Sequence, residues 1–196
     1  VVEMRSIKDK HEIEELIKAS AIGYKMHVTS MKMAKPGIIE QEIAGIIEGI
    51  ALSYGSALSF PIILSQNGET LHNHYHGNRA ESGRLFLLDC GAETPMGYAG
   101  DLSSTFPVDK TFTQRQKDVF AISSEAHRRA VSMLQPGIRN KEVHFAACRV
   151  IAEGMKQMGL MKGNTEDALQ CGAHAMFIPC GTGHMLGLDV HDMENL

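Results

Sequence analysis

A long basic run, a CxxC pair and an apolar stretch of membrane-spanning length are all missing from this 196-residue sequence. The first absence, together with a formal net charge of −4, argues against nucleic acid or an anionic membrane as a partner. The second leaves Cys90, Cys148, Cys171 and Cys180 reading as reduced thiols of a cytoplasmic protein rather than as a disulfide frame. The third leaves no candidate for a transmembrane helix. The opening "VVEMRSIKDKHEIEELIKAS" is too charged for a signal peptide or an anchor. It also lacks an initiator methionine, as expected of a processed or excised chain. What is present is a globular mixture, 43% hydrophobic and 21% charged, long enough for one domain with a real core.

Apolar spacing predicts a helix over residues 8–34, with Ile13, Leu16, Ile17, Ala21 and Tyr24 on one face, stopped at Pro36 and Gly37. A second helix is expected over 39–54. Short strand-like runs follow at 58–64, 84–90 and 97–108, then helices at about 113–134 and 140–158. "TEDALQCGAHA" reads as a shorter helix, and the Gly-rich end as irregular or extended. "KPGIIEQEI" from Lys35 and "QPGIRNKEV" from Gln135 share a pattern at an offset of 100 residues. The echo is either a chance recurrence of a common helix stop or one copy each of a duplicated helix–helix–sheet unit. The second alternative predicts two halves related by a pseudo-twofold rotation.

Two segments carry candidate chemistry. Asp89 ends the apolar run "RLFLLDC", and Asp101 lies equally far beyond Pro95. A regular hairpin centred on Pro95 makes them direct cross-strand neighbours on one face. Opposed like charges destabilise a sheet, and burying them costs more. A cation between them reverses that sign, and Cβ atoms about 5 Å apart suit metals about 3.5–4 Å apart. The plainer alternative makes Asp89 a strand-end cap and Asp101 part of a solvated turn. The apolar context of Asp89 argues against it.

Histidines supply the other donors. His72, His74 and His76 alternate in "NGETLHNHYHGN", so a strand would put all three on one face; the alternative is an exposed polar loop, the reading preferred for His76. His184 and His191 lie in "GTGHMLGLDVHD", a weak metal signal taken alone. Carboxylate and imidazole together suit Mn, Co, Fe or Zn.

"NGETLH", "LLDCGAE…GYAGDLSSTFPV" and "GTGHMLGLDVHD" together resemble the pita-bread metallopeptidases, nearest to the Xaa-Pro aminopeptidase and prolidase group and less similar to methionine aminopeptidase. The resemblance runs from about Met4 to the last residue. It implies an α+β pita-bread fold with a pseudo-twofold repeat and a dinuclear centre of two divalent ions, manganese first, with cobalt or zinc as alternatives. Carried over by position, Asp89, Asp101 and His184 resemble metal ligands, with Asp101 bridging. His72, with His74 as fallback, and His191 resemble the catalytic and substrate-binding histidines beside the scissile carbonyl. Cys180 stands where relatives often have histidine, and Ser104 where they often have arginine. The implied reaction is hydrolysis of the bond before proline, releasing the N-terminal residue from an Xaa-Pro peptide by a metal-activated water.

Relatives complete the centre with two glutamates further along. Glu194 is too close to His191 to match either one. The chain is therefore expected to be part of a longer catalytic domain, without an N-terminal domain, and by itself to bind metal weakly and act poorly. A non-catalytic pita-bread binding module is the competing reading. Metal-free hydrolysis of the creatinase kind is a third. The retained Asp89 and Asp101 disfavour both. Self-association of the full-length protein is left open.

Overall fold

Asp9 starts the longest helix. Its carboxylate accepts hydrogen bonds from the amides of His11 and Glu12, while Glu12 reaches back to the Asp9 amide, a reciprocal cap. The computed structural model describes residues 1–193. In chain order the elements are α1 (Val2–Ser6), α2 (Lys10–Met33), α3 (Glu40–Tyr54), β1 (Ala57–Leu58), β2 (Ile63–Ser65), β3 (Leu85–Cys90), β4 (Ala92–Glu93) and β5 (Leu102–Pro107), then α4 (Gln114–Ser132), α5 (Asn140–Gln157), α6 (Thr165–Gln170) and a 3-10 turn at Ala173–Met176. The chain divides into two compact units. One runs from Val1 to Phe112 and takes in the described residues from His184; the other is Thr113–Gly183.

In the first unit β2, β3 and β5 form an antiparallel sheet in the order β2-β3-β5, and β1 pairs with β4. Phe86, Leu88 and Cys90 of β3 alternate with Leu85, Leu87 and Asp89. The first three are fully buried and join Met26, Ile43, Ile47, Leu64 and Phe106 in one core. The alternation places the core on one face of the sheet and Asp89 on the other.

α2 buries a different stripe from the expected one. Ile13, Ile17 and Tyr24 are exposed, while Ala19, Ile22, Gly23, Met26, His27 and Ser30 are buried. The reason is steric. A Cβ on Gly100 would lie 2.9 Å from the Ala19 backbone, and one on Gly23 would lie 3.2 Å from Leu102. The helix approaches the β hairpin so closely that Ala19 and Gly23 must face it, which sets the buried stripe and leaves Ile13, Ile17 and Tyr24 outside it.

The second unit is helical. α4 and α5 pack through Ala126, Ala130, Val143 and Ala147. The expected single helix over "TEDALQCGAHA" breaks in two at Gly172, where φ is +78°. The PGI echo has a local structural counterpart in each unit. Gly37 has φ +89° and Gly137 φ +90°, a left-handed conformation that side chains resist. Ile38 donates to the Lys35 carbonyl and Ile138 to that of Gln135, at 3.3 and 3.2 Å. Glu42 accepts from the Ile39 amide and Glu142 from the Arg139 amide, each at 3.0 Å.

Gly91 sits where the hairpin is tightest: a Cβ there would lie 1.7 Å from the Gly100 carbonyl oxygen. Gly91→Ala is expected to destabilise the protein by about 3 kcal/mol, the upper end of overpacking costs. Gly49→Ala, at an open position in α3, should stabilise it by about 0.5–1 kcal/mol. Urea unfolding midpoints of the two variants check both signs.

Candidate metal centre

The β3–β5 ladder pairs Asp89 with Ser103 and Cys90 with Leu102, and the Gly100 amide donates to the Ala92 carbonyl. This register centres the hairpin on Met96, one residue beyond the Pro95 read from the sequence. Asp89 and Asp101 are therefore diagonal, not direct, cross-strand neighbours. The two-residue period keeps them on one face, and a diagonal pair is within reach of long side chains. The two carboxyl groups are close enough for the charge of Asp89 to act on Asp101. Asp89 is also oriented by its true partner, with Ser103 Oγ donating to Asp89 Oδ1 at 2.8 Å.

His184 completes the cluster. Its Nε2 is 3.0 Å from Asp101 Oδ2 and its Nδ1 is 3.0 Å from the Met185 carbonyl oxygen. A carbonyl can only accept, so that contact puts the proton on Nδ1. The Nε2–Oδ2 contact then holds a proton shared between imidazole and carboxyl, or a cation in its place. The His191 ring stacks on that of His184, with centroids 3.8 Å apart and planes 20° off parallel. Burial, then the charge of Asp89 and the hydrogen bond with it, push the Asp101 carboxyl above its ordinary value, and His184 opposes the shift. Two crowded carboxylates with an imidazole fit a borderline divalent metal.

The loop carrying the histidines is tied down by residues that the sequence reading gave no role. The Ala99 amide donates to the Gly187 carbonyl at 2.8 Å, and the Asp192 amide to that of Met185 at 3.1 Å. Asp192, 6% exposed, accepts from Lys8 Nζ at 2.8 Å and pairs with Arg5, which also reaches Asp189 at 2.7 Å. Burial alone would raise the Asp192 carboxyl. Lys8, the Met193 amide and Arg5 outweigh burial and hold it below the usual value. On the opposite face of the hairpin, buried His27 lies 2.6 Å from Ser104 Oγ and 3.5 Å from Cys90 Sγ. Burial pushes the Cys90 thiol up to about 12. Ser104 thus supports the core side of β5. The visible signal for Asp192 was the basic pair Arg5 and Lys8 near the other end of the sequence; nothing in the residue pattern joins them.

The three alternating histidines do not form a strand. Residues 66–78 contain no helix or strand. His72 is exposed, at φ +54°, and makes no hydrogen bond or ring contact among the described residues. His76, expected to be an exposed loop residue, is half-buried, with Nε2 3.0 Å from the Ile62 carbonyl oxygen. His74 Nδ1 lies 3.4 Å from the same oxygen. The next residue, Ile63, is the β2 partner of Asp89. Glu194 lies outside the described residues. Among the described residues all four cysteines are free, and no helix is long and apolar enough to cross a membrane.

A family model for metallopeptidase family M24 matches residues 14–196. The chain is 34% identical over 196 residues to an Xaa-Pro aminopeptidase of Escherichia coli K12, covering 98% of this chain and 44% of that protein. It is 32% identical over 194 residues to an Xaa-Pro aminopeptidase of Haemophilus influenzae, covering 97% and 45%. Among solved structures it is similar to E. coli aminopeptidase P with the inhibitor Pro-Leu, at a TM-score of 0.94 and 33% identity, over 98% of this chain and 44% of that one. Zinc-substituted E. coli aminopeptidase P in complex with product matches at a TM-score of 0.94 and 33% identity, over 99% and 44%. The chain thus spans less than half the length of these relatives.

The raised Asp101 carboxyl carries a sign. Its folded value lies above the unfolded one, so stability is lost as pH rises through the folded value and stays lost at neutral pH. In chelator-treated protein, Asp101→Asn should raise the melting temperature at pH 7 by about 2–4 °C, the shift that about 1 kcal/mol produces in a domain of this size. The gain should vanish at acid pH, where the native carboxyl is already protonated. Melting curves at the two pH values distinguish this from a general effect of the substitution.

Proposed function

Because the chain belongs to metallopeptidase family M24 and has its pita-bread fold, we propose that the whole protein is a metal-dependent peptidase that releases the N-terminal residue from Xaa-Pro peptides. The observation that carries the proposal is the His184 Nε2 contact with Asp101 Oδ2 at 3.0 Å, beside the second carboxylate of Asp89 on the same face of the hairpin. A pure binding module has no need of that arrangement, which costs stability when empty.

In this reading Asp89, Asp101 and His184 would hold the metal ions. When bound, two divalent ions supply a water of lowered pKa and polarise the scissile carbonyl. We assign manganese first, with cobalt or zinc as alternatives. The chain's own contribution is placement. Ser103 fixes the Asp89 carboxylate. The Met185 carbonyl fixes the His184 tautomer and so keeps Nε2 free as a ligand. The stacked His191 ring sits beside the metal-side imidazole, where it can donate to an oxyanion forming on the substrate. Support for a second substrate-side histidine favours His74 over His72. His74 Nδ1 lies 3.4 Å from the carbonyl oxygen of Ile62, the residue before the β2 partner of Asp89, and lines an open cleft with Phe60, Pro61 and Ile62, whereas His72 has no partner among the described residues. The four free thiols support a cytoplasmic protein.

The test is hydrolysis of Xaa-Pro peptides by the whole protein with added Mn²⁺. Asp89→Asn, Asp101→Asn and His184→Ala should each lower kcat/KM by at least about 10²-fold, given that even outer partners of a metal are worth 10–100-fold. His74→Ala should cost more than His72→Ala. Undiminished hydrolysis in Asp101→Asn would rule out the ligand set. A larger loss in His72→Ala would return the substrate-side role to His72.

A further inference from the structure

The helical unit Thr113–Gly183 contains a second cluster of metal-ligating side chains, with no carboxylate in it. His144 and Cys148 stand four residues apart on α5, on one helix face. Cys148 Sγ lies 3.3 Å from His144 Nε2. His174, in the 3-10 turn, faces the same space: the His144 and His174 ring centroids are 6.3 Å apart. One ligand atom from each of the three residues falls within 4.8 Å of the others. We infer that His144, Cys148 and His174 form a mononuclear site for a zinc-class divalent ion, tying α5 to the 3-10 turn.

Three further observations support the assignment. First, His174 is only 8% exposed, and its Nδ1 is buried with no hydrogen-bond partner among the described residues. An orphaned buried polar atom is costly, and an ion or water that engages the ring relieves it. Second, the far side of the His144 ring is held: Nδ1 lies 2.7 Å from Thr182 Oγ1. A proton donated there leaves the Nε2 lone pair facing Cys148, the tautomer that a metal requires. Third, the spacing fits. Bonds of about 2.0–2.1 Å to nitrogen and 2.3 Å to sulfur at tetrahedral angles set ligand atoms about 3.3–3.6 Å apart, so the cluster needs only small side-chain adjustments.

Two imidazoles and a thiolate select zinc, cobalt or another borderline ion over magnesium or calcium, which take oxygen ligands. Binding breaks the Cys148 S–H bond and forms a metal–sulfur bond, and the proton passes to solvent. The fourth position falls to water. Phe145 packs edge-on against His174 at 5.7 Å and shields that side. The site shares no residue with Asp89, Asp101 and His184. It ties together segments separated by a turn and a short helix, so its expected role is to stabilise this unit.

Cobalt alone is the probe, because a thiolate ligand gives a sulfur-to-cobalt charge-transfer band that carboxylate and imidazole ligands do not. Titrating the purified protein with Co²⁺ should produce that band, with a final intensity corresponding to one thiolate-bound cobalt per chain. Asp101→Asn should leave it intact. Cys148→Ser should abolish it, and His144→Gln or His174→Ala should weaken cobalt binding at least tenfold. Circular dichroism checks that each variant is folded, and His144→Gln, at a half-buried position, serves if the Cys148 variant fails that check. In the Asp101→Asn background, Zn²⁺ should raise the melting temperature, and His144→Gln should remove the rise. Absence of the band in the unaltered protein, its persistence in Cys148→Ser or its loss in Asp101→Asn would each overturn the site.

Discussion

A slip of two residues along the β3–β5 ladder would set Asp101 directly opposite Asp89 or carry it out of reach, and a slip of one would turn Asp89 into the core. The hairpin register is thus the constraint on which the rest of the structure depends. Gly91 and Gly100 fix it by approaching too closely for a side chain. Phe86 and Phe106 fix it from the other face: they are ladder partners, and their rings meet at 5.9 Å and 56° in the core, a geometry that aromatic pairs favour. The core face and the carboxylate face are therefore two consequences of one alignment.

The histidine loop depends on the same hairpin. It is docked on the Ala99 amide and neutralised from beneath by Arg5 and Lys8 through Asp192. A buried carboxylate with two cations is a weak source of net stability. Its value here lies in position: with Asp192 anchored, His184 lies over Asp101 and His191 stacks on it. The energy cost of crowding Asp89, Asp101 and His184 is the complement of the proposed metal affinity. A site that crowds two carboxylates has more to gain from a cation than one holding a single exposed carboxylate.

The two metal-competent clusters differ in kind. The one on the hairpin is rich in carboxylate and carries charge that an ion must balance. The one on α5 is thiol and imidazole, neutral until an ion displaces the thiol proton. The first suits chemistry on a polarised carbonyl. The second suits a fixed tie between elements, because its softer donors favour tight retention.

Local patterns carried much of the structure. The long helices appear within a few residues of their expected bounds because caps and Pro-Gly stops act locally, as at Asp9 and Pro36. Asp89 and Asp101 were legible as two carboxylates on one face of a hairpin, whereas His184 entered through the resemblance of its segment to a family, since its own spacing is a weak signal. The sequence could not decide which face of α2 is buried, since Ile13 and Tyr24 lose to small residues only where a hairpin presses close. It could not give the hairpin its centre, because one residue of turn length changes every partner while leaving the composition untouched. Nor could it separate His72, His74 and His76, whose alternation looks like a strand until the chain turns there instead. Asp192 with Arg5 and Lys8, and the His144–Cys148 pair of α5 with His174, are contacts made across the fold. Short-range periodicity fixes elements, but only tertiary packing brings residues so far apart in sequence within reach of one another.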